Sequence, residues 1–407
     1  MSRQRVVIVG GGQAAGAALR KLRDLQFGGE VVLLSEESHP PYERPPLSKE
    51  YLAGAAQDVR LVAPGKRANE RVHLRSIVVS ADPVARTVTC GDGSTIAYDV
   101  LLLATGGRPR RLSVPGAELG NVHHLRTADD AASLRRSLQE CAHSRAPLLV
   151  VGGSWIGLEV AAAARAAGVD VVLLEAGERL CMRTLPPAQA RWLERLHRLQ
   201  GVDVRLHTPL ASLGGEGVVG RARLSDGEEM RVGAVVAGIG ILPNDALARQ
   251  CGATVRSGVV VDCHGRTSVP GVYAVGDVTE QECKWHAGPV RIETWHNANA
   301  QGEAAAAHIA GAAAPAAAEP PWFWSDQYGR NLQVVGAPLQ GDAVLASGGD
   351  EDRTLAIHLR GDVVVGGVAV DRPRDMHRLR KLLAGAAPVT PAALRQHGLH
   401  ASGEAVQ

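Results

Sequence analysis

No two of the six cysteines stand close enough to make a C-x-x-C or any other tight pair; Cys90, Cys141, Cys181, Cys251, Cys263 and Cys283 are scattered singly. That spacing argues against a catalytic dithiol and against a zinc knuckle, so six ordinary free thiols and no metal are expected. An excess of one charge sign is missing as well. Lys+Arg 44 against Asp+Glu 42 leaves a formal net charge of only +2, which shows no nucleic-acid footprint. No apolar run approaches the roughly 20 residues a membrane helix needs. The opening MSRQRVVIVGGG lacks the apolar core and cleavage site of a secretory signal. The expectation is a soluble cytoplasmic protein that uses neither nucleic acid nor membrane. With 407 residues, 45% of them hydrophobic, the chain can bury a full core spread over two or three domains.

Val6 to Val9 is a run of β-branched residues with the look of a buried strand. It flows into Gly10-Gly11-Gly12-Gln13-Ala14-Ala15-Gly16 and then into an Ala/Leu-rich stretch that reads as a helix. A second run, Val31 to Leu34, ends at Ser35-Glu36-Glu37. Each part has a task in binding a dinucleotide. Gly10 allows the tight turn, Gly12 lets a pyrophosphate approach bare backbone at a helix N-terminus, and Ala15 keeps helix and strand close. Glu36, closing the second strand, would accept hydrogen bonds from a ribose.

The same pattern recurs. Leu148 to Val151 leads into Gly152-Gly153-Ser154-Trp155-Ile156-Gly157, then a helical Leu158-Glu159-Val160-Ala161 segment, then a strand from Val169 to Leu174 that ends at Glu175. Ser154 stands where a second glycine is expected and still permits close backbone approach. Two such units point to two nucleotides, FAD at one and a nicotinamide at the other. A carboxylate at Glu175 favours a free 2′-hydroxyl over a 2′-phosphate, hence NADH over NADPH. Arg179 and Arg183 lie nearby and either meet a phosphate or are solvated.

Between the units, alternating residues around Asp92-Gly93 suggest hairpin strands. Leu101 to Leu103 reads as a buried strand leaving through Ala104-Thr105-Gly106, and Val235 to Ala237 as another leaving through Gly238-Ile239-Gly240. Both read as returns to the first domain. GVYAVGDVTE gives a further strand ending at Gly276-Asp277, and a helix is expected from about Asn297 to Ile309. Residues 311–321 read as an Ala/Pro linker, RPRDMHRLRKLL as a basic amphipathic helix, and the tail from His397 as frayed. The fold class is α/β: two Rossmann-like dinucleotide-binding domains plus a small α+β C-terminal domain. An FAD-binding domain is expected in two parts, 1–109 and 240–318, with an NADH-binding domain over 110–239 and the C-terminal domain over 319–407.

Eight stretches in order, VVIVGGGQAAG, PPYERPPLSKEYL, LLLATGGRPRRL, GGSWIGLEVAA, VVAGIGILPN, YAVGDV, RIETWHNA and PWFWSDQY, resemble the NADH-dependent ferredoxin reductases of bacterial oxygenase systems. This is the putidaredoxin and rubredoxin reductase group, within the wider glutathione-reductase-like fold. PYERPPLSK and PWFWSDQY are the most specific. The resemblance implies that Arg44 and Lys49 lie along FAD, with the Lys49 ammonium near flavin N5 and paired with Glu159. It implies that Asp277 holds a ribityl hydroxyl, that the backbone at Trp295 meets the isoalloxazine, and that Ala14, Val78 and Arg126 touch FAD. Ala104, Thr105, Gly106 and Gly240, at the strand exits, join the cofactor-binding positions. So do Gly152, Ser154, Ile156, Gly157 and Arg183. A fixed cation beside N5 would favour the flavin's taking up a hydride; the alternative is a surface ion pair. Trp295, Trp322 and Trp324 either crowd the flavin and its outlet or fill the core; the first use is favoured for Trp295 and both stay open for the others. Asp371, where the group often has Asn, and the stretch after Leu61 depart from its pattern.

The function implied is electron transfer from NADH through FAD to a [2Fe-2S] ferredoxin that feeds an oxygenase, by a monomer or homodimer. The cofactor carries the chemistry, with no protein acid, base or nucleophile. Arg108, Arg110, Arg111, Arg372, Arg374, Arg378, Arg380 and Lys381 would steer an acidic ferredoxin or are simply solvated. The rival is an NADH-sensing flavoprotein of the apoptosis-inducing-factor type that acts through partner binding.

Overall fold

The structure is a computed structural model, and it describes residues 4–54, 61, 67–313, 319–347 and 352–399. The middle of the expected linker, the residues directly after Leu61 and the end of the tail lie outside the described residues. The chain divides into two compact units: residues 1–44, 58–108 and 242–323, and residues 45–57, 109–241 and 324–407.

The first unit is built on a five-stranded sheet in the spatial order Val272–Ala274, Val100–Leu103, Arg5–Val9, Glu30–Leu34 and Glu70–His73. All its pairings are parallel. A parallel sheet is covered on both faces, which is why these strands are continuous apolar runs rather than alternating ones. Val6, Ile8, Val31, Leu33 and Leu102 pack on one face against Ala15, Leu19 and Leu22 of the Gln13–Asp24 helix and Ala305 and Ile309 of the Trp295–Ile309 helix. Val7, Val9, Val32, Leu101 and Leu103 pack on the other. Each such fully buried side chain contributes roughly 1.5–3 kcal/mol. The two helices cross closely: a Cβ on Gly302 would fall 2.4 Å from the Ala14 carbonyl oxygen. The expected hairpin forms a three-stranded antiparallel sheet, Val78–Asp82, Thr87–Cys90 and Thr95–Ala97.

The second unit repeats the design, with Val202–Arg205, Val171–Leu174, Leu148–Val151, Ala234–Ala237 and Val122–His123 in one parallel sheet. One expectation is corrected here. Of the two strands read as returns to the first domain, only Val100–Leu103 lies in the first sheet. Ala234–Ala237 bonds in register to Leu148–Val151, because its exit must bring the Gly238 carbonyl against Gly152, as the exit at Ala104 does against Gly10. The Ala128–Ser144 helix starts at a capping box in which the Thr127 hydroxyl accepts from the Asp130 N–H while the Asp130 carboxylate accepts from the Thr127 N–H. Toward the C-terminus, Arg330–Gly336, Val363–Val370, Leu355–Arg360 and Ala343–Ser347 pair antiparallel, with Trp322–Gln327 as the fifth strand of that sheet. The amphipathic Pro373–Ala384 helix buries Met376, Leu379 and Leu383. No described helix is long and apolar enough to cross a membrane.

Candidate functional site

At the end of the Arg5–Val9 strand, Gly10 has φ +125°, and a Cβ there would stand 2.2 Å from the Ala104 carbonyl oxygen. Only glycine can make that turn. Gly12 caps the Gln13–Asp24 helix without any side-chain hydrogen bond, so the first-turn amides have no local acceptor. The atoms nearest a Cβ on Gly12 belong to the Arg44 guanidinium, at 3.5 and 3.6 Å. Arg44 is held by Glu37 at 2.5 Å and lies 5.3 Å from the Tyr42 ring centre. The Tyr42 hydroxyl donates to the same Glu37 carboxylate. Burial alone would lower the Arg44 pKa, but Tyr42, Glu37 and Asp277 outweigh it and hold the guanidinium more firmly charged than usual.

Asp277 follows Gly276, whose N–H donates to Gln301 Oε1 at 2.7 Å and whose Cβ, if present, would lie 3.1 Å from Ala14 Cβ. Arg44, Ala14 and Asp277 thus gather around one helix start. Thr105 is fixed from both sides by Asn244: its hydroxyl donates to the Asn244 carbonyl at 2.7 Å and its carbonyl accepts from Asn244 Nδ2 at 3.0 Å. Gly106, next along, has φ +59°. Trp295 opens the Trp295–Ile309 helix, and its carbonyl accepts from Asn299 Nδ2 at 2.9 Å. Val78 is half-buried against the core of its unit. Glu36 is exposed, and Glu37, not singled out in the sequence, takes the arginine.

The second turn has the same backbone. Gly152 has φ +102° and would place a Cβ 2.6 Å from the Gly238 carbonyl oxygen; a Cβ on Gly157 would lie 2.3 Å from the Gly152 oxygen. Ser154 caps the Trp155–Ala166 helix, but its hydroxyl donates to the Gly238 carbonyl and leaves the helix amides free of a side-chain cap. Glu175 is gripped by the backbone: Oε2 accepts from the Gly153 N–H and Oε1 from the Gly177 N–H, both at 2.7 Å. Ile156 is 39% exposed in the first turn of the helix. Gly240, at φ +95°, lies beside Arg183 and Arg110, and Arg183 is exposed. Arg179 is engaged elsewhere, by Glu178 at 3.1 Å and the Met182 carbonyl at 3.3 Å.

Lys49 follows the short 3-10 turn Pro45–Ser48. Its ammonium lies 2.7 Å from Glu159 Oε2, with side chains only 12% and 5% exposed. This is a buried pair, for which removal of one partner costs about 3–5 kcal/mol, not a surface pair worth ~0–1 kcal/mol. The two residues are far apart in sequence, and only the motif resemblance suggests that they meet. Arg126 precedes the capping box, its N–H donating to Asp130 Oδ2 at 3.1 Å.

Residues 4–302 match the model described as pyridine nucleotide-disulphide oxidoreductase, and residues 322–400 match the reductase C-terminal model. The chain belongs to the pyridine nucleotide-disulphide oxidoreductase family. It is 40% identical over 396 residues to the ferredoxin–NAD(+) reductase component of the p-cumate 2,3-dioxygenase system of Pseudomonas putida, covering 96% of each chain. Rhodocoxin reductase of Rhodococcus erythropolis is 37% identical, over 95% of this chain and 91% of that one. The crystal structure of a covalent putidaredoxin reductase–putidaredoxin complex superposes with a TM-score of 0.91 at 34% identity, covering 97% of this chain and 96% of that one. Despite the family's title, all six cysteines of this member are free; five are buried and Cys263 is exposed. Burial, with Glu175 and Glu159 nearby, pushes the Cys181 thiol well above its ordinary range.

Of the arginines expected to meet a partner, Arg372 is tied to Asp375 at 2.6 Å, and Arg378 lies 3.6 Å from the same carboxylate. Together with Arg374 and Arg353, which the sequence did not single out, they line a cleft of about 730 Å³. Among the described residues no group of histidines, cysteines and acids could hold a metal ion. His197, Ser325 and Gln327, also not anticipated, surround Glu159 in one hydrogen-bonded file.

Proposed function

We propose that this chain is a ferredoxin–NAD(+) reductase that carries FAD at the Gly10–Gly12 turn, takes NADH at the Gly152–Gly157 turn, and delivers electrons to a [2Fe-2S] ferredoxin serving an oxygenase, either a ring-hydroxylating dioxygenase or a cytochrome P450. What carries this reading is the pair of bare turns. At each, a side chain would strike backbone and no side chain caps the helix amides, so both fit a pyrophosphate. The whole-length likeness to a dioxygenase-system ferredoxin reductase supports the choice of acceptor.

Bound FAD supplies the exchange between hydride and single electrons. The chain's own residues bind and orient. The Arg44 guanidinium lies over Gly12, where it counters phosphate charge, and Ala14 and Asp277 line the same helix start. Ala104, Thr105 and Gly106 close one side, and Val78, Arg126 and the Trp295 backbone add further contacts. At the second turn the Glu175 carboxylate is fixed by two amides before any ligand arrives. Its remaining lone pairs suit the hydroxyls of an adenosine ribose, and its charge opposes a 2′-phosphate. Lys49, anchored by Glu159, presents positive charge toward the flavin. The arginine-lined cleft suits an acidic ferredoxin. Free thiols and a need for NADH suit the cytoplasm.

The test is to purify the protein, record its visible spectrum, and titrate it anaerobically with NADH and NADPH before adding ferredoxins. A yellow protein bleached at lower NADH than NADPH, with rapid steady-state ferredoxin reduction, is expected. A colourless protein that FAD does not reconstitute would sink the proposal. Slow bleaching with a long-lived charge-transfer band and no ferredoxin turnover would replace it with the signalling role.

A further inference from the structure

A single file of hydrogen bonds leads away from the Lys49–Glu159 pair into the interior of its own unit. Glu159 Oε2 accepts from Lys49 Nζ at 2.7 Å and also from the Ser48 hydroxyl. The other oxygen, Oε1, accepts from the Ser325 hydroxyl at 2.6 Å. Ser325 accepts from Gln327 Nε2 at 2.8 Å, Gln327 Oε1 lies 2.7 Å from His197 Nε2, and His197 Nδ1 lies 3.1 Å from the Tyr328 hydroxyl.

The chemistry of the groups sets the direction of every link. A carboxylate bonded to an ammonium only accepts, so Ser325 donates to it and must in turn accept. That orients the Gln327 amide. Its oxygen can only accept, so His197 carries its proton on Nε2 and accepts at Nδ1 from Tyr328. All the donors therefore point toward Glu159, an arrangement in which each bond polarises the next. Glu159, Ser325, Gln327 and His197 are 5%, 1%, 4% and 0% exposed. Burial lowers the His197 pKa to about 4, so the ring stays neutral at working pH, and burial raises that of Tyr328, which keeps its proton. Ser325 and Gln327 share a face of the Trp322–Gln327 strand, two residues apart, while Asp326 between them is exposed.

We propose that Ser325, Gln327 and His197 are positioning residues that fix the Glu159 carboxylate and, through it, the Lys49 ammonium. This rests on the reading that Lys49 presents its charge to the flavin. The file orients charge and does not conduct protons, since the Gln327 amide cannot pass one along without losing its own bonding pattern.

The experiment uses the FAD-loaded protein and compares Ser325→Ala, Ser325→Thr and Lys49→Ala. It measures the rate of flavin bleaching by NADH, the NADH Kd, the flavin midpoint potential and the NMR signal of the His197 Nε2–H. Ser325→Ala is expected to slow bleaching about tenfold at an unchanged NADH Kd, as for loss of a hydrogen bond to a charged group. The potential should move more negative. Ser325→Thr, which keeps the hydroxyl, should restore the rate to within about twofold. In the unaltered protein the His197 Nε2–H should persist from neutral pH down to near pH 5, well above the imidazole's pKa of about 4. A wild-type rate and potential in Ser325→Ala, with Lys49→Ala slow, overturns the positioning role and leaves the Lys49 reading standing. A wild-type rate in Lys49→Ala overturns both. Should Ser325→Ala not fold, Gln327→Leu breaks the file one step further out and is judged by the same outcomes.

Discussion

The two glycine turns have the same backbone and differ in the residue that closes the second strand. Gly10 N–H bonds to the Leu34 carbonyl and Gly152 N–H to the Leu174 carbonyl, both at 2.8 Å. The next residue is Ser35 in one case, bonded through its N–H to His73, and Glu175 in the other, bonded to Arg205. Ser35 and Glu175 therefore occupy the same place. Ser35 is fully buried beneath Gly11, whose Cβ would fall 2.1 Å from its hydroxyl. Glu175 instead reaches Gly153 and Gly177 and makes a fixed negative charge. In the first unit the carboxylate stands two residues later, at Glu37, and holds Arg44 over the turn. The turn is thus a general cradle for pyrophosphate, and the residue closing the strand decides whether the neighbourhood is an anion or a cation.

The largest expected effect separates the turns from each other. Gly10→Ala combines φ +125° with a Cβ 2.2 Å from a backbone oxygen, so it should cost about 3 kcal/mol or more and leave the protein without flavin. Gly152→Ala, at φ +102° and 2.6 Å, should abolish reduction by NADH while the protein stays yellow. Visible spectra, thermal melts and NADH titrations check both. Loss of flavin from Gly152→Ala would mean that the turns do not work independently.

Both cradles were legible in the sequence because their requirements are local: an apolar run, glycines at fixed spacing and an Ala-rich helix follow within a few residues. The closing acid of the first unit was less so. Glu36 and Glu37 are adjacent, and only the register of Glu30–Leu34 against Arg5–Val9 shows that the place equivalent to Glu175 is Ser35. The strand Ala234–Ala237 could be recognised but not assigned to a sheet, since apolar runs carry no information about pairing partners. The Lys49–Glu159 pair was visible only through motif resemblance. His197 had no signal at all: on the Pro187–Leu199 helix it is one polar residue among several, and its partner Gln327 lies 130 positions away.

A middle-sized effect comes from making the second turn resemble the first. Glu175→Ser removes two charge-assisted bonds to backbone amides and the carboxylate itself, so NADH Kd should rise about 10- to 100-fold. NADPH binding should fall less, because a 2′-phosphate no longer faces a negative charge. Anaerobic titration with both nucleotides measures the ratio. An unchanged preference for NADH would show that discrimination resides elsewhere, with exposed Arg183 beside Gly240 the first place to look.

The smallest effects fall on the first unit's two acids, and their order is decisive. Glu37→Gln keeps the shape of the side chain but removes the charge that holds Arg44, in a pair with side chains 12% and 21% exposed. FAD retention should weaken a few-fold, or about 1 kcal/mol, because the guanidinium loses its orientation over Gly12. Glu36→Gln alters an exposed residue and should change neither FAD affinity beyond about twofold nor stability by more than about 0.5 kcal/mol. Dialysis against apoprotein and thermal melts of both variants give the comparison. If Glu36→Gln instead costs more than Glu37→Gln, then a ribose is held at Glu36 as the sequence suggests, and the equivalence of Ser35 with Glu175 is one of backbone position only.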